Sequence, residues 1–174
     1  MTISRNYPFK DVYTHVLGYV SQPNEQEILD NQIIQERFVP GMKIGKLGLE
    51  KRLENHLIGT NAIQRYEVNA YGKRIKQIKV EPGQSGQNFK TTLDLEVQKF
   101  TTEAIKDTAA SVCVMDIYNG DIVSLVSSPV YDPNAFVHGI DKTYWDSLIN
   151  NSKKPLINKA VAGLYPPGST IKTL

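Results

Sequence analysis

The stretch ASVCVMDIYNGDIVSLVSS, residues 110–128, constrains the fold more than any other part of the chain. Two apolar, β-rich runs flank Asn119-Gly120, residues that tolerate the positive φ of a two-residue type I′ turn. The pattern predicts an antiparallel hairpin turning at that pair. Both faces of its first arm are apolar, so the hairpin is expected to be central and covered on both sides. Cys113 lies in that arm and reads as a small buried hydrophobe.

The neighbouring segments supply candidate covers. FKTTL (89–93) reads as a short strand, and Asp94 as the N-cap of a helix over LEVQKFTTEAIKDT. Val97, Phe100, Ala104 and Ile105 form the apolar face of that helix. PVYDPNAF is a loop punctuated by prolines, with Asp132 as a turn former. DKTYWDSLINN predicts a short helix capped by Asp141 that packs through Tyr144, Trp145, Leu148 and Ile149. Strand, helix, hairpin and helix in this order predict an α+β domain, an antiparallel sheet with helices.

Upstream, EPGQSGQN (81–88) clusters Pro, Gly and Ser without an apolar side chain and marks a boundary. The chain therefore divides into 1–88 and 89–174. Before the boundary, QRYEVNAYGKRIKQI predicts two strands about Tyr71-Gly72, with Tyr66 and Val68 on one arm and Ile75 and Ile78 on the other. Leu49, Leu53 and Leu57 recur every four residues, as on one face of a helix ending near Gly59, with Glu50 and Glu54 exposed. Residues 1–40 are harder to read. HVLGYV resembles a strand, and PNEQEILDNQIIQERF a helix turning Ile28, Leu29, Ile33 and Ile34 to a core.

Composition narrows the function classes. The formal net charge of +2 is too mild for a nucleic-acid footprint, so no nucleic-acid partner is expected. No apolar run approaches the ~18 residues of a membrane span, and no signal-peptide core follows Met1, so this stretch is expected to be soluble. GMKIGKL imitates a phosphate loop, but its glycines are one residue too close and Leu47 replaces the metal-binding Ser or Thr. His15, His56 and His138 share no metal-like spacing. Neither a metal nor a cofactor is expected.

GLYPPGSTIKTL (163–174) carries the one candidate for chemistry. Ser169 and Lys172 stand three apart, which on a helix places both on one face. A serine needs a base within hydrogen-bond reach, and a desolvated lysine amine can be that base. The helix dipole at a first turn also favours developing negative charge. A Ser-x-x-Lys tetrad alone arises by chance on the order of once in a chain of this length. The approach is more informative. Pro166 and Pro167 lock φ, and Gly168 permits a sharp turn onto the serine. An ordinary helix start preceded by Pro-Gly-Ser has the same description, and the residues leave both readings open.

NKAVAGLYPPGSTIK, with HVLGYV, IGKLGLEKRLE, YEVNAYGKRI, TLDLEVQKF and GDIVSLVSSPVYDPNAF in the same order, resembles the class B penicillin-binding proteins nearly end to end. Ser-x-x-Lys is the nucleophile motif of such proteins. The resemblance implies a peptidoglycan D,D-transpeptidase of cell elongation that is acylated by β-lactams. Ser169 would be the nucleophile, Lys172 the general base, and stem peptides ending in D-Ala-D-Ala the substrate. It implies that 1–88 belong to a membrane-proximal pedestal or dimerisation region, and that 89–174 open the transpeptidase domain. Implied partners are a membrane-embedded glycan polymerase and elongation-complex proteins. The parent would be anchored in the bacterial inner membrane, facing the periplasm. No Ser-x-Asn or Lys-Thr-Gly follows Ser169, so the chain is expected to be an incomplete, inactive fragment. Two other readings are a non-catalytic scaffold segment and a β-lactam sensor or β-lactamase relative. The pedestal-like segments weigh against a β-lactamase.

Overall fold

A short 3-10 turn (Lys10–Tyr13) leads into α1 (Thr14–Leu17) in the computed structural model of the chain, which describes residues 5–166 and Gly168. The helical turn stops at Gly18, and only Val20–Ser21 (β1) is extended. The first half of the strand expected over HVLGYV is thus helix, held by the Thr14 hydroxyl on the carbonyls of Asp11 and Tyr131. The expected helix over 23–38 is two: α2 (Glu25–Asp30) and α3 (Gln32–Arg37). Asn24 and Glu27 form a capping box that starts α2. Asn31, extended at φ −127°, ends it and caps α3 through Ile33 and Ile34 N–H. The break turns Leu29 outward and leaves Ile34 as the buried anchor.

β2 (Ile44–Gly45) pairs antiparallel with β1. The leucine-periodic helix also divides, into α4 (Gly48–Arg52) and α5 (Glu54–Leu57), because Leu53 leaves helical geometry. Glu50 is buried rather than exposed: the Arg5 guanidinium grips its carboxylate with two contacts of 2.9 Å, and the Tyr7 hydroxyl donates to it. Glu54 is half-buried and accepts from Gly45 N–H. Burial raises its pKa above the ordinary carboxylate value, against that hydrogen bond.

β3 (Ile63–Val68) and β4 (Arg74–Glu81) form the expected hairpin, with irregular register at Arg65/Tyr66 and Glu67/Val68. Its arms are largely exposed on both faces. The following 81–88 segment lies along 56–60, with hydrogen bonds from Thr60 to Gln84 and from Gln87 to His56.

Asp94 caps α6 (Leu95–Ala104) as expected, but the helix buries its polar side. Gln98, Thr101 and Thr102 are inside, whereas Phe100 is 76% exposed. The reason is β6 (Ile122–Ser127), which pairs with β5 (Ser111–Met115) along one edge only. Gln98 serves the other edge like a strand: its amide donates to Leu125 C=O and accepts from Leu125 N–H, each at 2.9 Å. Thr92 Oγ1 and Asp94 N–H complete that edge on Ile122 and Val123 C=O, so FKTTL contributes single bonds and no strand.

The β5–β6 turn is not the two-residue type I′. Asn119 keeps negative φ while Gly120 sits at 79°. Asp116 organises a longer loop by accepting from Tyr118 N–H and, through its carbonyl, from Gly120 N–H. β5 is open rather than central, and Cys113 is exposed, because no strand among the described residues pairs with its outer edge.

α7 (Asn134–Val137) follows a turn made by Asp132, and α8 (Lys142–Ile149) is capped by Asp141. Tyr131, Phe136 and Leu148 form the main core with Tyr144 and Trp145, while Ile149 faces out. Each such burial contributes roughly 1.5–3 kcal/mol. Residues 7–20 close this core. Tyr7 and Asn134 exchange two hydrogen bonds, at 2.9 and 3.0 Å, and Tyr7 packs with Val20 and Val137. Helices with antiparallel strand pairs make the α+β class expected from the sequence.

Candidate functional site

Ser169 and Lys172 lie outside the described residues, as do Pro167 and the rest of 169–174. What the structure describes is the approach to them. Ser127, the last residue of β6, is buried and meets the incoming chain, and Ser128 is buried beside it against the end of α6. Ser127 Oγ donates to Ile157 C=O at 3.2 Å and accepts from Lys159 N–H at 2.9 Å. Ser128 Oγ donates to Lys106 C=O. Asn158 caps α9 (Lys159–Ala162) through Ala160 N–H and donates to His15 C=O at 3.0 Å. The approach is therefore clamped on one side by β6 and on the other by the N-terminal segment.

His15 adds a second tie. Its Nε2–H donates to Pro155 C=O at 2.7 Å, and its ring stands edge-on to Tyr131, centroids 5.5 Å apart. Burial pushes its pKa down from the ordinary histidine value, outweighing the Pro155 bond, and Lys159 pushes the same way. Burial also lowers the pKa of Lys159, whose amine donates to Lys154 C=O.

Beyond α9 the chain runs extended through Gly163. A Cβ on Gly163 would stand 2.5 Å from the Lys159 carbonyl oxygen and 2.4 Å from the Tyr165 ring, so the backbone contact with α9 is what calls for glycine here. Leu164 is 98% exposed. Gly168 has φ +54°, the left-handed turn expected immediately before Ser169. The helical pairing of Ser169 with Lys172 is not among the described features. Among the described residues, no group of three His, Cys, Asp or Glu side chains could hold a metal.

The clamp residues Ser127, Asn158 and His15 are not singled out by the sequence. Asn158 carries a usable signal, an Asn directly before Lys-Ala-Val-Ala. Ser127 and His15 carry none, since their partners are about 30 and 140 residues away.

The described residues thus form an α+β chain in which the end of β6 and the N-terminal segment hold the stretch that leads to the Pro-Pro-Gly-Ser-x-x-Lys sequence. Residues 1–91 match the penicillin-binding protein dimerisation domain, and residues 110–174 the penicillin-binding protein transpeptidase domain. The chain belongs to the penicillin-binding proteins. It is 39% identical over 170 residues to the peptidoglycan D,D-transpeptidase MrdA of Escherichia coli K12, covering 97% of this chain and 27% of that protein. The Haemophilus influenzae protein of the same name is 34% identical over 97% of this chain and 26% of its own length. Among solved structures, the Helicobacter pylori complex of PBP2 with MreC matches with a TM-score of 0.82 at 31% identity, over 97% of this chain and 31% of that one. Pseudomonas aeruginosa PBP2 in complex with WCK 5153 matches at 0.79 and 30% identity, over 98% and 33%. The chain thus spans about a quarter of the length of the curated relatives it matches.

Proposed function

We propose that the chain is the part of an elongation-type peptidoglycan D,D-transpeptidase that leads up to and includes its nucleophile. The observation that carries this is the 39% identity, across 97% of the chain, to a protein named for that reaction. The clamped approach and the positive φ of Gly168 support the reading of Ser169 as that nucleophile. Ser169 Oγ attacks the carbonyl of the D-Ala-D-Ala bond, and the neutral Lys172 amine takes its proton. That proton passes to the departing D-alanine amine, leaving an acyl-enzyme. The amine of a neighbouring stem peptide then attacks the ester, and the serine regains its proton. β-Lactams acylate the same oxygen and stay.

In this reading 1–88 belong to the pedestal and 89–174 open the transpeptidase domain, with the Ser-x-Asn and Lys-Thr-Gly segments in a longer polypeptide anchored at the periplasmic face of the inner membrane. No helix among the described residues is long and apolar enough to cross a membrane. The MreC bound to the Helicobacter pylori relative supports a protein partner of the elongation machinery; a membrane-embedded glycan polymerase is a further partner that the family resemblance implies.

The test is fluorescent penicillin applied to the longer protein. Labelling is expected at Ser169, lost in Ser169→Ala, and reduced more than about tenfold, roughly 1.4 kcal/mol in barrier, in Lys172→Arg. Arginine keeps the charge and cannot accept the proton. Labelling that persists in Ser169→Ala overturns the nucleophile assignment. A Lys172→Arg protein within tenfold of wild type overturns the base. The 174-residue chain alone is expected to stay unlabelled, because an oxyanion hole needs two donors and a downstream strand carries one.

A further inference from the structure

A cleft of about 790 Å³ opens between β1 and the α7–α8 segment, sharing no lining residue with the described approach to Ser169 and within the ~300–1,000 Å³ of ordinary ligand sites. Its floor is aromatic. Tyr19 stacks on Phe136 with centroids 4.1 Å apart at 25°, and Trp145 stands edge-on to Phe136 at 6.2 Å. Its polar lining includes Lys43, Lys142 and His138, and no carboxylate. The nearest acid in sequence, Asp141, is turned onto the α8 N-terminus, where Thr143 and Tyr144 N–H groups bind it. Among the described residues neither lysine forms a salt bridge, although six other Lys and Arg side chains do.

Phe136 is buried beneath Tyr19, while Tyr19 and Trp145 are partly exposed and offer aromatic surface, and the ammonium groups lining the same cleft select carboxylates. Tyr19 and Lys43 come from the part matching the dimerisation domain, and Trp145 and Lys142 from the part matching the transpeptidase domain. An occupant would touch both. We propose that this cleft is a second, non-catalytic site for peptidoglycan, binding a muramyl peptide. The sugar ring lies against the aromatic floor and the stem-peptide carboxylates pair with Lys43 and Lys142. This rests on the transpeptidase reading above, because peptidoglycan is the carboxylate-bearing ligand that such a protein meets.

Trp145 is the one tryptophan of the chain, so its fluorescence reports the cleft directly. The 174-residue chain is titrated with N-acetylmuramyl tripeptide carrying free carboxylates, at low salt to preserve exposed charge pairing. A saturable change is expected, weakened about tenfold or more by Lys43→Gln/Lys142→Gln and by amidation of the probe's carboxylates. Lys142 is exposed and Lys43 half-buried, and an unchanged melting temperature checks that the double variant folds. No saturation at millimolar probe, equal binding by the amidated probe, or equal binding by the double variant overturns the proposal. So does equal binding by an acidic linear peptide lacking the sugar, which would make the cleft a protein-docking site. Penicillin labelling of the longer protein is measured separately. Wild-type labelling at Ser169 without muramyl-peptide binding sinks only the cleft proposal, and binding without labelling sinks only the nucleophile assignment.

Discussion

The β3–β4 and β5–β6 hairpins are both antiparallel, both turn through a glycine of positive φ, and both carry Val and Ile on their arms. They differ in their surroundings. β6 is served on its second edge by Gln98, Thr92 and Asp94, and its end holds the approach to Ser169. The arms of β3–β4 stay largely exposed, with Ile78 67% and Ile75 63% exposed. A two-stranded ribbon alone is marginal in water, so β6 draws its stability from elements distant in sequence. The described approach at Ile157 and Lys159, held by Ser127, shares that support.

The sharpest break of this contrast is Gln98→Ala. The side chain is fully buried, and its loss leaves Ser124 Oγ, Leu125 N–H and the carbonyls of Leu125 and Val12 without their partner. A loss of about 3 kcal/mol is expected in urea unfolding. A loss under 1 kcal/mol would mean that the second edge of β6 is not held by this residue.

Acid should act next. His15 is held neutral in the fold by burial, so its contribution is fully present above the ordinary value of about 6.5. Below that pH the unfolded chain takes up a proton that the folded one resists. Stability then falls by at most about 1.4 kcal/mol per pH unit until the lower folded pKa is passed. His15→Gln should flatten this limb of the stability curve between pH 7 and 5. An unchanged limb would remove His15 as its source.

The two turns separate global from local stability. Gly120 and Gly72 have φ of 79° and 74°, and each has open space where a Cβ would stand. Alanine at either therefore meets no clash and costs about 1 kcal/mol of backbone strain. For Gly120→Ala that cost should appear in global unfolding. For Gly72→Ala it should appear in amide exchange of β3 and β4 while the global midpoint holds. Equal global shifts would show that the hairpins unfold together. Smallest of all, Ile78→Ser should change stability by less than about 0.5 kcal/mol. A larger loss measured by thermal unfolding would reveal a packing partner on that ribbon.

Much of the local structure was legible because its causes are local. Asp94 and Asp141 cap helices that begin one residue later, and Asp132 makes its turn with Asn134. Gly168 turns where the Pro-Pro-Gly pattern requires. The errors share a cause as well. Phe100 belongs to an apolar stripe and points to solvent, because the partner of α6 is a strand edge that asks for hydrogen bonds. Glu50 has the look of a surface carboxylate and is buried, because Arg5 lies beside it. Cys113 sits in an apolar strand whose outer edge has no partner strand among the described residues.

By itself the sequence determined the α+β alternation, the two hairpins, the Asp94 and Asp141 caps and the sharp turn at Gly168. Period, capping chemistry and φ preference act within a few residues and need no distant partner. Only the tertiary structure decided which faces are buried and what clamps the approach to the serine. It placed Tyr7 against Asn134, His15 against Pro155 and Asn158 against His15, across 127, 140 and 143 residues. Hydrogen bonds of such span leave no periodic trace, because a buried polar group needs one partner in space, and any sequence distance can supply it.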